Sequence, residues 1–253
     1  MSDVHPAASG GFSAAASEYE RARPGYPDEA IAWIVERLGL GPGKNVLDLA
    51  AGTGKLTRAL IPSDARVIAV EPIDEMREQL FAAVPDVDAF DGTAEQIPLP
   101  DGSVDAVTCG QAFHWFRAEE ALREIHRVLV PGGGLALIWN VRDLSAPLQA
   151  RLQEIITPYG ADVRSHREIA PETSIEASRL FGPVEQRSWP YVQRLSRAHL
   201  VDRIASTSYI AILDPDARAA VLSQVLEAAD GLPEPIAIPY TTDVYAATRL
   251  DEV

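Results

Sequence analysis

The sequence predicts an α/β protein with a doubly wound, mostly parallel seven-stranded sheet and helices on both faces. Three observations carry that prediction. Short apolar runs alternate with amphipathic helical stretches from Asp28 onward. The first run, Val46-Leu47-Asp48-Leu49, passes into Ala50-Ala51-Gly52-Thr53-Gly54 and then a helical Lys55–Leu60, which puts a strand, a tight turn and a helix N-terminus in one place. The second run, Arg66-Val67-Ile68-Ala69-Val70, ends in an acid, Glu71, at the spacing of about twenty residues from the glycines that a βαβ unit requires.

Residues 1–18 are small and polar and read as a flexible leader, followed by one domain over 19–253. Order is expected from about Tyr19, and Arg21, Arg23, Pro24, Tyr26 and Pro27 then make an aromatic, basic and proline-rich cluster, either a strap packed on the core or a lid over a ligand. Asp28 reads as an N-cap before a packing helix marked by Ile31, Ile34, Val35 and Leu38 and stopped at Gly39 and Gly41. After Glu71, Met76, Leu80 and Phe81 mark another amphipathic helix, and Val87–Phe90 a third strand.

Asp91–Gly102 is a loop by its glycines and prolines, and Ser103–Cys109 the fourth strand. Gln111, Phe113, His114, Trp115 and Phe116 follow at the strand's carboxyl end, where open α/β sheets bind ligands. The bland alternative is a buried aromatic plug. A helix over Ala121–Leu129, with His126 and Arg127 in solvent, is expected to stop at Pro131 and Gly132-Gly133-Gly134. The fifth strand is Leu135–Asn140. Irregular helical insertions are expected over about 142–182 and 196–232, the second containing helices at Ala198–Ile212 and Asp216–Ala229. Strands at Val184–Val192 and within Ile236–Thr248 complete the sheet.

Composition narrows the function. A net charge of −15 disfavours nucleic acid, whose affinity rests on clustered Lys and Arg. One cysteine, Cys109, and five scattered histidines give neither a disulfide framework nor metal-ligand spacing, so no metal is expected. Met1–Pro6 shows no basic segment before an apolar run, and nowhere do about eighteen apolar residues run together. A soluble, cytoplasmic protein that engages no membrane is expected.

The glycine turn suits a nucleotide-type ligand, and Asp48 ahead of it suits a cationic one. A dinucleotide site is disfavoured because the third glycine is missing and Asp48 would face a pyrophosphate. A phosphate-binding loop fails because Leu49 holds the first glycine position and Leu56 the required Ser or Thr. Glu71 is placed to accept from two ribose hydroxyls, or is an ordinary strand-end carboxylate.

Val46–Gly54, Glu71, Gly92-Thr93-Ala94-Glu95 and Arg127–Gly133 together resemble the class I S-adenosylmethionine-dependent methyltransferases, in the right order and over nearly the whole chain. Tyr19–Pro27 and Gln111–Phe116 further resemble the small-molecule branch that includes the methyltransferase type 11 and trans-aconitate methyltransferase-like proteins. The resemblance implies a Rossmann-like fold and S-adenosylmethionine as cofactor, with S-adenosylhomocysteine as product. It also implies cofactor contacts from Asp48, Ala50, Gly52, Thr53, Gly54, Leu56, Glu71, Pro72, Met76, Thr93, Ala94, Glu95 and Gln111. Ala50 departs from the usual first glycine, which ordinary backbone angles would accommodate. Thr93 replaces a frequent aspartate, so adenine recognition is expected to rest on the backbone of Ala94 and Glu95.

The implied reaction is displacement at a methyl carbon by a small-molecule acceptor, here a carboxylate or other acidic metabolite. A general base is needed only for a protonated acceptor. His114 is the candidate base, against packing or binding roles. Tyr19, Arg23, Tyr26, Phe113, His114, Trp115 and Arg142 are candidate substrate or lid residues. Arg23, Arg117 and Arg142 could meet an anion, against the plainer reading of surface arginines. A monomer or homodimer is expected. The alternative function is a non-catalytic S-adenosylmethionine-binding sensor or partner protein.

Overall fold

The computed structural model describes residue 20, residues 22–160 and residues 170–251. The expected leader, Tyr19 and the middle of the first insertion lie outside the described residues. Seven strands form one sheet: β1 (Asn45–Leu49), β2 (Arg66–Val70), β3 (Asp88–Phe90), β4 (Val104–Gly110), β5 (Leu129–Arg142), β6 (Glu185–Leu195) and β7 (Ile236–Thr248). Their order is β3-β2-β1-β4-β5-β7-β6. Pairings among β1 to β5 are parallel, and β7 runs antiparallel between β5 and β6. The winding reverses between β1 and β4, so their carboxyl ends open a crevice.

The helices are α1 (Asp28–Arg37), α2 (Lys55–Leu60), α3 (Asp74–Ala83), α4 (Ala118–Val128), α5 (Pro147–Ile156), α6 (Pro171–Ser178), α7 (Arg197–Ala205), α8 (Ser208–Ala211) and α9 (Pro215–Ala228). The pleat of β1 divides the core. Val46 packs with Ile34 of α1 and with Leu56 and Leu60 of α2, while Leu47 and Leu49 belong with Leu122 and Ile125 of α4. Each such buried aliphatic side chain contributes about 1.5–3 kcal/mol, which ties the sheet to both helical layers. A third core joins α5, α7, α8 and α9 to Ile236, Ile238 and Tyr240 at the start of β7. Because Tyr240 pairs with Arg142, this small core stands at the carboxyl end of β5.

Several local expectations are corrected. Pro27 is the N-cap of α1, and Asp28 opens its first turn, where its charge favours the helix dipole. Phe81 is 44% exposed, off the buried face of α3. Helix α4 ends at Val128, and Leu129 is already extended. Pro131–Gly134 lie inside β5 because the glycines permit close packing. A Cβ on Gly133 would meet Asp105 O at 2.9 Å, and one on Gly134 would meet Leu38 Cδ2 at 2.5 Å. The helix expected over Ala198–Ile212 breaks after Ala205, where Ser206 Oγ donates back to Arg203 O at 3.1 Å. Neither His126 nor Arg127 is simply solvated. The His126 ring packs edge-on against Phe181, with Nε2 3.0 Å from Leu250 O. Arg127 donates to Leu99 O, Ile97 O, Asp101 and Glu124.

Candidate functional site

The turn between β1 and α2 has the left-handed backbone its glycines foretold, at φ 58° for Gly52 and 83° for Gly54. Ala50 is left-handed too, at φ 56°, which corrects the expectation of ordinary angles there. An L-residue in that region is strained by roughly 1–2 kcal/mol. Space above Gly52 is open, whereas a Cβ on Gly54 would collide with Leu80. The two glycines thus serve differently: Gly52 leaves room for a ligand, and Gly54 lets α2 start against α3.

Asp48 sits in the wall of the cleft next to this turn and is fully buried. Its Oδ2 accepts from Thr57 Oγ1 at 2.6 Å. Its Oδ1 is buried and has no hydrogen-bond partner among the described residues. Burial, with a smaller push from the nearby Glu71 charge, raises the carboxyl to about 7 against the help of Thr57. Such a group asks for a cation.

Glu71, one residue past β2, is 4% exposed. Its Oε2 accepts from Gly52 N at 2.9 Å and its Oε1 from Ile73 N at 3.0 Å. Burial pushes it to about 7, opposed by these two bonds and by Arg77. The carboxylate therefore stitches the glycine turn to the end of β2, and each oxygen keeps a lone pair for a further donor. This placement departs from that of a solvated strand-end acid.

The loop after β3 is braced from behind. Thr93 bridges to Gln96, Ala94 is buried, and Glu95 Oε1 accepts from Arg117 N at 2.8 Å. Arg127 holds the carbonyls of Ile97 and Leu99, while Glu124 Oε2 accepts from Ile97 N at 3.0 Å. Met76 is buried in α3, and Pro72 lies between Glu71 and that helix.

A cleft of about 490 Å³, part of it open solvent at its mouth, joins the turn to the N-terminal segment. Of the residues expected at the site, Arg23, Tyr26, Asp48, Ala50, Gly52, Thr53, Leu56 and Gln111 line it. Lys55, Gly110 and Arg203 also do, and were not singled out from the sequence. Gln111 is itself left-handed, at φ 60°, with its N–H donating to Ile138 O at 2.9 Å. The N-terminal segment is fastened over the cleft: Lys55 Nζ donates to Glu20 O, Gln193 Nε2 to Ala22 O, Arg23 Nη2 to Ser206 O and Asn140 Nδ2 to Gly25 O, all at 2.7–2.9 Å. Tyr26 rests on Gly110, where any Cβ would strike its hydroxyl. The segment is a strap and a cleft wall at once.

Other expected residues stand elsewhere. Phe113, His114 and Trp115 form a 3-10 turn after β4 and are not among the cleft-lining residues. Phe113 is buried against Phe116, and His114 packs on Trp115 with ring centroids 4.7 Å apart. Arg117 is paired with Glu120 at the start of α4 and is not among the cleft-lining residues. Arg142 ends β5 and donates to Gln153 Oε1 at 2.7 Å. Beside it Arg203 is 6% exposed and donates from Nε to Tyr240 Oη at 3.2 Å. A sequence signal for Arg203 existed, since it falls between Leu200 and Ile204 on the apolar face of α7. Cys109 is a free, buried thiol whose pKa burial pushes up. Among the described residues there is no metal-ligand cluster, and no helix is long and apolar enough to cross a membrane.

Residues 47–137 match the family described as "Methyltransferase domain". An uncharacterized methyltransferase of Mycobacterium tuberculosis is 40% identical over 242 residues, covering 94% of this chain and 95% of that one. A putative type II methyltransferase from Anaeromyxobacter dehalogenans shares the fold at a TM-score of 0.66 and 21% identity, over 91% of this chain and 99% of that one. So does the Haemonchus contortus phosphoethanolamine N-methyltransferase 2 in complex with S-adenosyl-L-methionine, at 0.56 and 15%, over 94% of this chain and 56% of that one. The chain belongs to the class I S-adenosylmethionine-dependent methyltransferases.

Proposed function

We propose that this methyltransferase acts on a small-molecule acceptor that carries negative charge, a carboxylate or another acidic metabolite. The mixture of charge in one cleft carries the reading: Asp48 lines it together with Arg23, Lys55 and Arg203. A chain of net charge −15 that places arginines there has a local use for them, and its overall charge argues against a nucleic-acid acceptor.

The residues present fit S-adenosylmethionine. The orphaned Asp48 Oδ1 answers a cationic ligand, and the open space above Gly52 admits its backbone-hugging approach. Glu71 has lone pairs for ribose hydroxyls, and the reading gives the adenine to the braced loop 93–97. When bound, the cofactor supplies a methyl group on positively charged sulfur, already activated for displacement. The protein's own contribution is alignment and exclusion of water, which in well-oriented systems reaches effective molarities of about 10⁵ M or more. The strap from Glu20 to Pro27 performs the exclusion, and Arg23 and Arg203 orient the acceptor. A deprotonated carboxylate needs no base, and the reading assigns no proton transfer to His114. It places the enzyme in the cytoplasm, as a monomer or homodimer built on one domain over residues 19–253.

The test is incubation of the protein with methyl-labelled S-adenosylmethionine and a broad metabolite extract, read by mass spectrometry. Labelled product from anionic metabolites is expected. Product confined to neutral or cationic metabolites would overturn the reading.

A further inference from the structure

At the carboxyl edge of the sheet Arg203 is buried and Arg142 half-buried, and no described residue gives either a counter-ion. Arg203 uses Nε on Tyr240 Oη, but its Nη1 is buried and has no hydrogen-bond partner among the described residues. Arg142 donates to Gln153, an uncharged side chain, and to Tyr209. Burial, and then the charge of Arg203, lowers its pKa, so the cation acting on it is a second guanidinium. Neither arginine makes an ion pair with a described residue. Arginine does not escape such a site by losing its proton. A buried, uncompensated charge is costly to keep, and the cost is removed when an anion arrives. The site is open to one, because Arg203 lines the same cleft as Asp48, Gly110 and Gln111.

Resting on the reading of an anionic acceptor, we propose that Arg203, backed by Arg142, anchors a carboxylate of the acceptor, and that this anchored carboxylate is not the group methylated. Oxygens that accept from guanidinium have their charge neutralised and their lone pairs occupied, which makes them poor nucleophiles. The attacking atom therefore belongs to a second group on the same molecule, as in a dicarboxylate. Its lone pair forms the bond to the methyl carbon while the carbon–sulfur bond breaks, and that electron pair goes to sulfur. If the second group is a carboxylate, no proton is released: one negative and one positive charge vanish, leaving an ester and a neutral thioether. The acceptor is thus at least bifunctional, with an anchor at Arg203 and a nucleophile near Asp48.

Calorimetry on the full chain saturated with S-adenosylhomocysteine tests this, with succinate, its neutral isostere succinamide and inorganic phosphate as probes. Succinate is expected to bind and succinamide not. Arg203→Gln is expected to weaken succinate at least tenfold, and Arg203→Lys, which keeps the charge, by less. Both variants should hold S-adenosylhomocysteine and 5′-methylthioadenosine within twofold of the native chain, which also shows that they fold. Equal succinate affinity in native and Arg203→Gln protein overturns the anchor, as does native binding of neither anion, or of phosphate alone. Loss of S-adenosylhomocysteine with retention of 5′-methylthioadenosine in Arg203→Gln overturns it too, because Arg203 would then hold the cofactor's own carboxylate. The labelled-product screen separates the two levels. Product from acidic metabolites after such a failure leaves the anionic acceptor standing and the anchor fallen, whereas product only from neutral ones removes both.

Discussion

Burial holds Asp48 near its titration point, and the proposed reading has a cation take up its Oδ1. Its folded value of about 7 lies well above the ordinary carboxylate range, so the folded protein keeps the proton to higher pH than the unfolded chain does. Taken alone, Asp48 leaves ligand-free stability unpenalised below about pH 4 and lowers it as pH rises through about 7, by an amount on the order of 4 kcal/mol, while the lowered carboxyls of Asp105 and Glu124 act in the opposite direction as pH falls. Asp48→Asn keeps an acceptor for Thr57 and removes the burden. Urea unfolding at pH 8 should show the ligand-free variant more stable than the native chain, by up to a few kcal/mol, while its affinity for S-adenosylmethionine drops at least tenfold. Below pH 7 the native affinity should fall by about tenfold or more per unit, more steeply than that of the variant, in which Glu71 still titrates near 7. Equal pH profiles would remove Asp48 from cation binding. Ala50 makes the opposite case, strain with an obvious cure: Ala50→Gly should raise stability by about 0.5–1 kcal/mol in the same measurement. Its left-handed angle was not visible in the sequence, because a methyl group at a glycine position says nothing about whether the backbone relaxes. Arg203 was visible in principle, as a charge inside the Leu200–Ile204 apolar stripe. It reads as surface only when helix positions are taken by residue type.

At the scale of elements, α4 does more than cover the sheet. Arg127 and Glu124, one turn apart, hold four backbone or side-chain groups of the loop from Ile97 to Asp101. Arg127→Ala should cost about 2–3 kcal/mol in denaturant unfolding, because the carbonyls of Ile97 and Leu99 lose a charged donor. The same variant should weaken S-adenosylhomocysteine through the loosened loop 93–97, and a variant with native affinity would detach the brace from the site. The strap gives a second expectation. Asn140→Ala frees Gly25 O, so amide exchange over residues 22–27 should quicken while the strands keep their protection. Elements up to Cys109 were legible because each is a short run with its own punctuation. Beyond it, local signals misled in identifiable places. Gly132-Gly133-Gly134 looked like a terminator because their packing partners, Asp105 and Leu38, are remote in sequence. The break at Ser206 is likewise set by a side chain turning back on Arg203, which periodicity does not register.

Over the whole molecule, the proposed reading assigns the donor site to the parallel half of the sheet and the acceptor side to the antiparallel half. β1, β2 and β4 bring Asp48, Glu71 and Gln111 to one edge. β7 and the α5, α7, α8 and α9 core bring Tyr240 and Arg203 over the same edge. The donor site was readable from Val46–Gly54 and Glu71, since its chemistry is packed into two contiguous motifs. The acceptor side was not, since Arg23, Arg142 and Arg203 converge only after the strap, β5 and α7 have been folded together. One measurement addresses the joined account: the native chain and Asp48→Asn are each given methyl-labelled S-adenosylmethionine and the anionic and neutral fractions of a metabolite extract. The account predicts labelled product from the anionic fraction with the native chain and at least a tenfold loss with the variant. Product from the neutral fraction alone, or undiminished product with Asp48→Asn, would contradict it.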